Sequence, residues 1–410
     1  MREGSSVLAR SSRPLTALIV GAGIGGLTAA VVLRRRGVQV QVLERAPVNA
    51  PLGATLELGP NSTRLLADLE LLNRVREVGC RPEAIELVRW QDNRVLCRTP
   101  LGASAEDHFG APLMDLLRAD LMRVLLAALP DEAVLWGRAV TRLHQDPGGV
   151  EVTLDDGGRI RADLLIGADG IRSTVREQLF GAEDPVYAGS VTFRGLVEGA
   201  QARALLPGPP VKRYWLGPGA QVVAYWSGRQ RHLGVAVAVD RSESAQESWT
   251  GSATRDEALS HLEGWDPLPL ALVRQLGSVL ITPLYARVPL EHWSLGRATL
   301  VGDSAHAMVP YQGQGASQAI EDAVVLGACL ADASAADIPA ALRHYERVRM
   351  HRAHAVQSSA GAIANNFYHV PDGPEQRRRD AELAVLPTRQ RFGLRQAIWE
   401  HDVRRDVAAL

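Results

Sequence analysis

The stretch Gly21-Ala22-Gly23-Ile24-Gly25-Gly26 constrains this chain more than any other feature. It fits G-x-G-x-x-G, follows the apolar run Leu15 to Val20, and opens a helical spacing from Gly25 to Arg36 that Gly37 ends. Val38 to Leu43 then returns as an apolar strand, so the order is strand, tight turn, helix, strand, with a right-handed parallel crossover. Glycines at such a turn let a pyrophosphate approach a helix N-terminus, and a carboxylate at the end of the second strand accepts ribose hydroxyls. Glu44 stands there, and a glycine-rich turn made only for close packing would not need it. An adenine dinucleotide is the expected ligand. Arg2, Arg10 and Arg13 ahead of the apolar stretch imitate a signal peptide, but four internal glycines and the following Arg34 to Arg36 argue against a membrane span.

The chain has 410 residues, and at roughly 150 per domain that suggests two to three domains. A net charge of −1 without a long basic run excludes a nucleic-acid or anionic-lipid footprint. Cys80, Cys97 and Cys329 are far apart and form no C-x-x-C pair, which fits neither a disulfide framework nor a metal site and suits a reducing cytoplasm. Lys212 is the only lysine, read here as a composition bias toward Arg. Residues 1–14 read as a loose polar tail.

Ala162 to Gly167 and Ala298 to Gly302 are two more buried strands, expected to join the first two in one sheet assembled around insertions. From Tyr187 to about Pro289 the texture changes to alternating runs, Val211 to Leu216, Gln221 to Trp226 and His232 to Val239, which predict an antiparallel sheet. Trp215, Trp226, Trp249, Trp265 and Trp293 fall in or just after it and are expected mainly to pack it, one or two of them lining a flat pocket. After Gly315 the chain reads as helical, broken at Gly373-Pro374. The fold class is therefore α/β: a Rossmann-like parallel sheet, an inserted antiparallel-sheet domain and a helical C-terminal region. The expected boundaries are 15–185 for the first part of the dinucleotide domain with helical insertions, 186–290 for the inserted domain, 291–332 for the return, and 333–410 for the helical end.

Two further motifs carry chemistry. Asp163 to Gly167 leads through Ala168 into Asp169-Gly170 and a helix reaching Arg176, and Gly302-Asp303-Ser304-Ala305-His306 precedes Pro310 and Gly313-Gln314-Gly315. Ser304, His306 and Asp303 are too close on one segment to stack as a hydrolase triad, so His306 reads as a structural, hydrogen-bonded histidine. With Leu52 to Asn61, Leu117 to Leu121, Phe193 to Leu196, Pro371 to Gln376 and Trp399 to Asp402, the conjunction resembles the single-component FAD-dependent aromatic monooxygenases of the para-hydroxybenzoate hydroxylase type, closest to salicylate hydroxylase and 3-hydroxybenzoate 6-hydroxylase.

The resemblance implies that Gly21, Gly23 and Gly26 hold the FAD pyrophosphate, Glu44 with Arg45 the adenosine ribose, Arg118 the phosphate side, and Asp303 with Gly315 the ribityl side. It assigns Asp169 to FAD and the passage of NAD(P)H. The implied reaction is hydroxylation of a small hydroxy- or carboxy-substituted aromatic by O₂ through a flavin C4a-hydroperoxide, with or without decarboxylation, in a cytoplasmic monomer or homodimer free of metal, nucleic acid and membrane. A tailoring epoxidase or amine-oxidising relative, and a flavin-binding sensor that no longer turns over, are the alternatives.

One position departs from the resemblance. Gln221 stands where the relatives carry a histidine, and glutamine takes no proton at neutral pH. Tyr225 shares its strand face and matches a pocket tyrosine, and Gln314 matches another pocket residue. Gln221, Tyr225 and Gln314 are thus the expected catalytic surroundings, with Arg194, Tyr225 and Pro310 holding the substrate and Arg194 offered to its carboxylate.

Overall fold

Short apolar runs closed by glycine form the parallel strands Thr16–Val20, Leu164–Gly167 and Ala298–Leu300, joined by the half-buried strand Gln39–Glu44. The structure, a computed structural model, describes residues 13–47, 55–242, 251–386 and 392–408. The expected loose tail up to residue 12, residues 52–54 of the motif before Pro60, and Trp249 lie outside the described residues.

Among the described residues these strands sit in a six-stranded sheet, ordered Ser294–Leu295, Ala298–Leu300, Leu164–Gly167, Thr16–Val20, Gln39–Glu44, Val134–Trp136. Only the Ser294–Leu295 edge is antiparallel. The chain leaves Thr16–Val20 toward one neighbour and later returns to its other side, so the carboxyl end of that strand is the switch point where such sheets bind ligands. Helix Ile24–Arg35 starts there and packs beside helix Gly315–Cys329. A Cβ on Gly327 would meet Val32 Cγ1 at 2.3 Å, so the glycine lets the two helices close.

Among the described residues the inserted sheet has eight strands, ordered Gly251–Ala253, Val279–Ala286, Val186–Glu198, His232–Asp240, Ala220–Ser227, Val211–Gly217, Ala84–Arg89, Val95–Pro100. It extends beyond residues 186–290, because two strands from the earlier segment join its edge and Ala84–Arg89 pairs in parallel with Val211–Gly217. Alternation divides its faces. Val222, Ala224 and Trp226 enter one core with Trp215 and Trp265, under helices Gly199–Leu205 and Pro267–Arg274. Val223 and Tyr225 turn to the other face with Tyr214 and Leu216, toward the C-terminal helices. The described tryptophans of the sheet therefore pack its outer face and tyrosines line the inner one, because 214 and 225 have the inward parity. Trp293 belongs instead to the core of the first sheet, beside His306 and Tyr345.

A two-stranded ladder, Thr55–Leu58 against Met114–Leu117, contributes further residues to the inner face. Beyond Gly315 the described chain is helical, with the long helix Ile338–Ile363, a π-helical turn Ala364–Tyr368, and the helices Pro374–Val385, Leu394–Glu400 and Val403–Ala408. No helix among the described residues is long and apolar enough to cross a membrane.

Candidate active site

The glycine turn is held by sterics at two positions. Gly21 has φ +105°, and a Cβ there would stand 2.4 Å from the Ala168 carbonyl oxygen. A Cβ on Gly26 would stand 2.0 Å from the Gly21 carbonyl oxygen, so the helix can start this close to the strand only with glycine. Gly23 caps helix Ile24–Arg35, and its missing Cβ leaves a space overlooked by Arg118 Nη2 at 3.8 Å. A guanidinium facing the N-terminus of a twelve-residue helix makes an anion cradle of the size and sign a pyrophosphate needs.

Glu44 closes the other side. Its Oε2 accepts from Ala22 N at 2.7 Å and its Oε1 from Ala46 N at 2.8 Å, so the carboxylate pins the turn and keeps a lone pair on each oxygen for ribose hydroxyls. Arg45 is exposed beside it.

The second and third motifs are stitched together. Asp169 accepts from Val175 N at 3.2 Å and from the Ser304 hydroxyl at 3.2 Å, and Ser304 Oγ accepts from Gly170 N at 3.0 Å. Burial pushes the Asp169 carboxyl above its ordinary range against these donors. Ser304 and His306 diverge: His306 is fully buried, with Nε2 2.6 Å from Asp322 Oδ2, which makes it a structural histidine. Asp303 is exposed, and its Oδ1 would lie 3.9 Å from a Cβ on Gly315. Gly turn, Glu44, Arg118 and Asp303 thus surround the switch point, and their donors and acceptors fit FAD.

The inner face of the eight-stranded sheet carries the ring-side residues. Gln221 is buried and its Oε1 has no hydrogen-bond partner among the described residues. Gln314 Oε1 accepts from Asn61 Nδ2 at 3.2 Å while its buried Nε2 is likewise without a partner. Pro310 opens the 3₁₀ turn Pro310–Gln312, whose Tyr311 hydroxyl donates to Ser190 Oγ at 2.9 Å.

The Tyr225 hydroxyl accepts from Thr55, and Gly234 opposite it makes this possible, since a Cβ there would meet Thr55 Cγ2 at 2.7 Å. Burial lowers the charge affinity of the Arg194 guanidinium, with Tyr225 and Arg118 as its electrostatic neighbours.

Sequence reasoning missed the group beneath Tyr225. Lys212, buried on the inner face, places Nζ 4.3 Å from the Tyr225 ring centroid, 2.5 Å from Glu57 Oε2 and 2.9 Å from Asp115 Oδ1. Burial disfavours its charge, but Asp115 and Glu57 outweigh burial and hold the ammonium well above its ordinary range. Burial pushes Asp115 up to about 7 even with Lys212 opposing. The available signal was a lone lysine with inward parity in an apolar strand. Its carboxylates lie 155 and 97 residues away, where no local pattern points to them.

Known proteins share this fold. Residues 15–360 match the FAD binding domain family. The 3-amino-4-hydroxybenzoate 2-monooxygenase of Streptomyces cremeus is 40% identical over 375 residues, covering 90% of this chain and 92% of that one. The 3-hydroxybenzoate 6-hydroxylase 1 of Aquipseudomonas alcaligenes is 31% identical over 374 residues, covering 90% and 94%. A salicylate hydroxylase in complex with substrate superposes with a TM-score of 0.82 at 26% identity, over 96% of this chain and 97% of that one. The cradle for a dinucleotide, the sheet that faces it and the extent of these matches agree: the chain belongs to the FAD binding domain family and is a flavoprotein monooxygenase of its aromatic-hydroxylating branch.

Proposed function

We propose that the protein hydroxylates an aromatic acid bearing an amino or hydroxy substituent, taking electrons from NAD(P)H in the cytoplasm. The carrying observation is the buried Gln221 Oε1 without a partner: an acceptor where a titrating base is not available. An amino group makes a ring electron-rich without losing a proton, and its N–H suits a glutamine oxygen. The 3-amino-4-hydroxybenzoate 2-monooxygenases, by their names, act on such a ring, which supports the reading.

FAD, when bound, supplies the redox and oxygen-activating chemistry. This chain's residues do the rest. Gln221 and Tyr225 line one side of the ring, Gln314 and Pro310 another, and the buried Gln221 and Gln314 keep water from the reacting atoms on their sides. Arg194 faces both the ring side and Arg118. Asp169 keeps its turn in place through Ser173 and Ser304.

The test is oxidation of NADH and of NADPH by the FAD-loaded protein across a panel of benzoates that includes 3-amino-4-hydroxybenzoate, with product mass spectrometry. Substrate-stimulated oxidation with one oxygen added to the ring is expected. Oxygen found on the amine, or no stimulation by any aromatic acid, overturns the reading.

A further inference from the structure

Arg395 lies on helix Leu394–Glu400, 181 residues from Tyr214, yet the fold brings the two together. Its Nη2 donates to the Tyr214 hydroxyl at 3.0 Å and to the Tyr368 hydroxyl at 3.3 Å. Its guanidinium carbon stands 5.0 Å from the Tyr214 ring centroid, and the Tyr214 and Tyr368 rings stack with centroids 6.0 Å apart and planes 10° apart.

This cluster is on the face already described. Tyr214 pairs across the sheet with Val223, which lies between Gln221 and Tyr225 on the same side of their strand, and Lys212 is the next inward residue on Tyr214's own strand. Lys212 is matched by Glu57 and Asp115. Arg395 has no carboxylate within ion-pairing distance among the described residues, and its hydrogen bonds go to two tyrosine hydroxyls. Glu57 and Asp115 act on the half-buried Arg395 guanidinium from beyond ion-pairing distance, but their direct hydrogen bonds go to Lys212, so the Arg395 fork has no anion in contact. Both tyrosine bonds use Nη2, so Nε–H and Nη1–H, on different edges of the guanidinium, have no hydrogen-bond partner among the described residues, and each can give a charge-assisted bond to a carboxylate oxygen.

We propose that Arg395, steadied by Tyr214 and Tyr368, receives the carboxylate of the aromatic substrate, so that the C-terminal helix completes the ring-binding site. Burial pushes Tyr214 up to about 12, which keeps that partner a neutral acceptor and leaves the guanidinium charge to the ligand. The assignment moves the acid-binding role away from Arg194, whose electrostatic neighbours include Arg118 above the glycine turn. It rests on the aromatic-acid reading above.

The experiment is isothermal titration of the FAD-loaded protein with 3-amino-4-hydroxybenzoate and with its neutral isostere, 3-amino-4-hydroxybenzamide, for the unsubstituted protein, R395Q, R395K and R194Q. The unsubstituted protein should bind the acid more tightly than the amide. R395Q should weaken the acid roughly tenfold or more and leave the amide unchanged, which a merely structural role would not do. R395K should keep part of the preference, and it carries the test if R395Q does not fold. Retained discrimination in R395Q and R395K, with its loss in R194Q, overturns the proposal. Equal binding of acid and amide by the unsubstituted protein also overturns it, while hydroxylation of either ligand would leave the monooxygenase reading standing. Discrimination without hydroxylation fails that reading alone.

Discussion

Gln221 decides how the ring is activated, because a glutamine at that point accepts a hydrogen bond but cannot take the proton. Gln221→His should introduce a group titrating near 6.5 and make turnover rise between about pH 6 and 7, where the parent is flat in that range; a pH–rate profile checks this. Tyr225→Phe and Gln314→Ala should each leave NAD(P)H oxidation running while product falls roughly tenfold and H₂O₂ appears, since a misplaced ring misses the oxygen transfer. Coupled product-to-NAD(P)H ratios measure it. Glu44→Ala removes acceptors for Ala22 N and Ala46 N as well as for the ribose, and the FAD dissociation constant should rise roughly tenfold or more. The shared face of Gln221 and Tyr225 was legible from strand alternation alone. Thr55 under the Tyr225 hydroxyl was not, because its approach depends on the missing side chain of Gly234, 179 residues along the chain in another strand.

At the level of elements, the Gly302–His306 turn depends on a helix that the glycine pattern does not mention. Asp322, in helix Gly315–Cys329, accepts from Gly302 N at 2.9 Å and meets His306 and Arg349, all deeply buried. Burial opposes its ionisation, but His306 and Arg349 outweigh burial and hold it at about 2, below its ordinary 3.8. A depressed carboxylate stabilises the fold above the ordinary value and loses that contribution as pH falls through the folded one. Stability should therefore drop between about pH 4 and 2. Asp322→Asn should cost about 3–5 kcal/mol at neutral pH, by breaking a buried ion pair, and should flatten the acid limb; urea midpoints across that range measure both. Three of the parallel strands, Thr16–Val20, Leu164–Gly167 and Ala298–Leu300, were readable as glycine-closed apolar runs. The union of Ala84–Arg89 with Val211–Gly217 was not, since pairing between distant segments leaves no trace in either one's own periodicity.

Across the whole molecule, Lys212 fastens the eight-stranded sheet to the ladder of Thr55–Leu58 and Met114–Leu117 through Glu57 and Asp115. Lys212→Met would leave two carboxylates buried without their cation, with an expected loss of about 3–5 kcal/mol and reduced FAD retention. Replacing all three by apolar residues of similar volume should recover most of that stability, as denaturant unfolding would report. The one lysine of the sequence is thus a junction between layers, which a count of residue types reads only as a bias. Its seclusion also has a practical side. Acylating reagents such as succinimidyl esters meet no lysine side chain on the native surface, so this residue takes a label only when the layers part, and the mass of the labelled peptide becomes a clock for that opening.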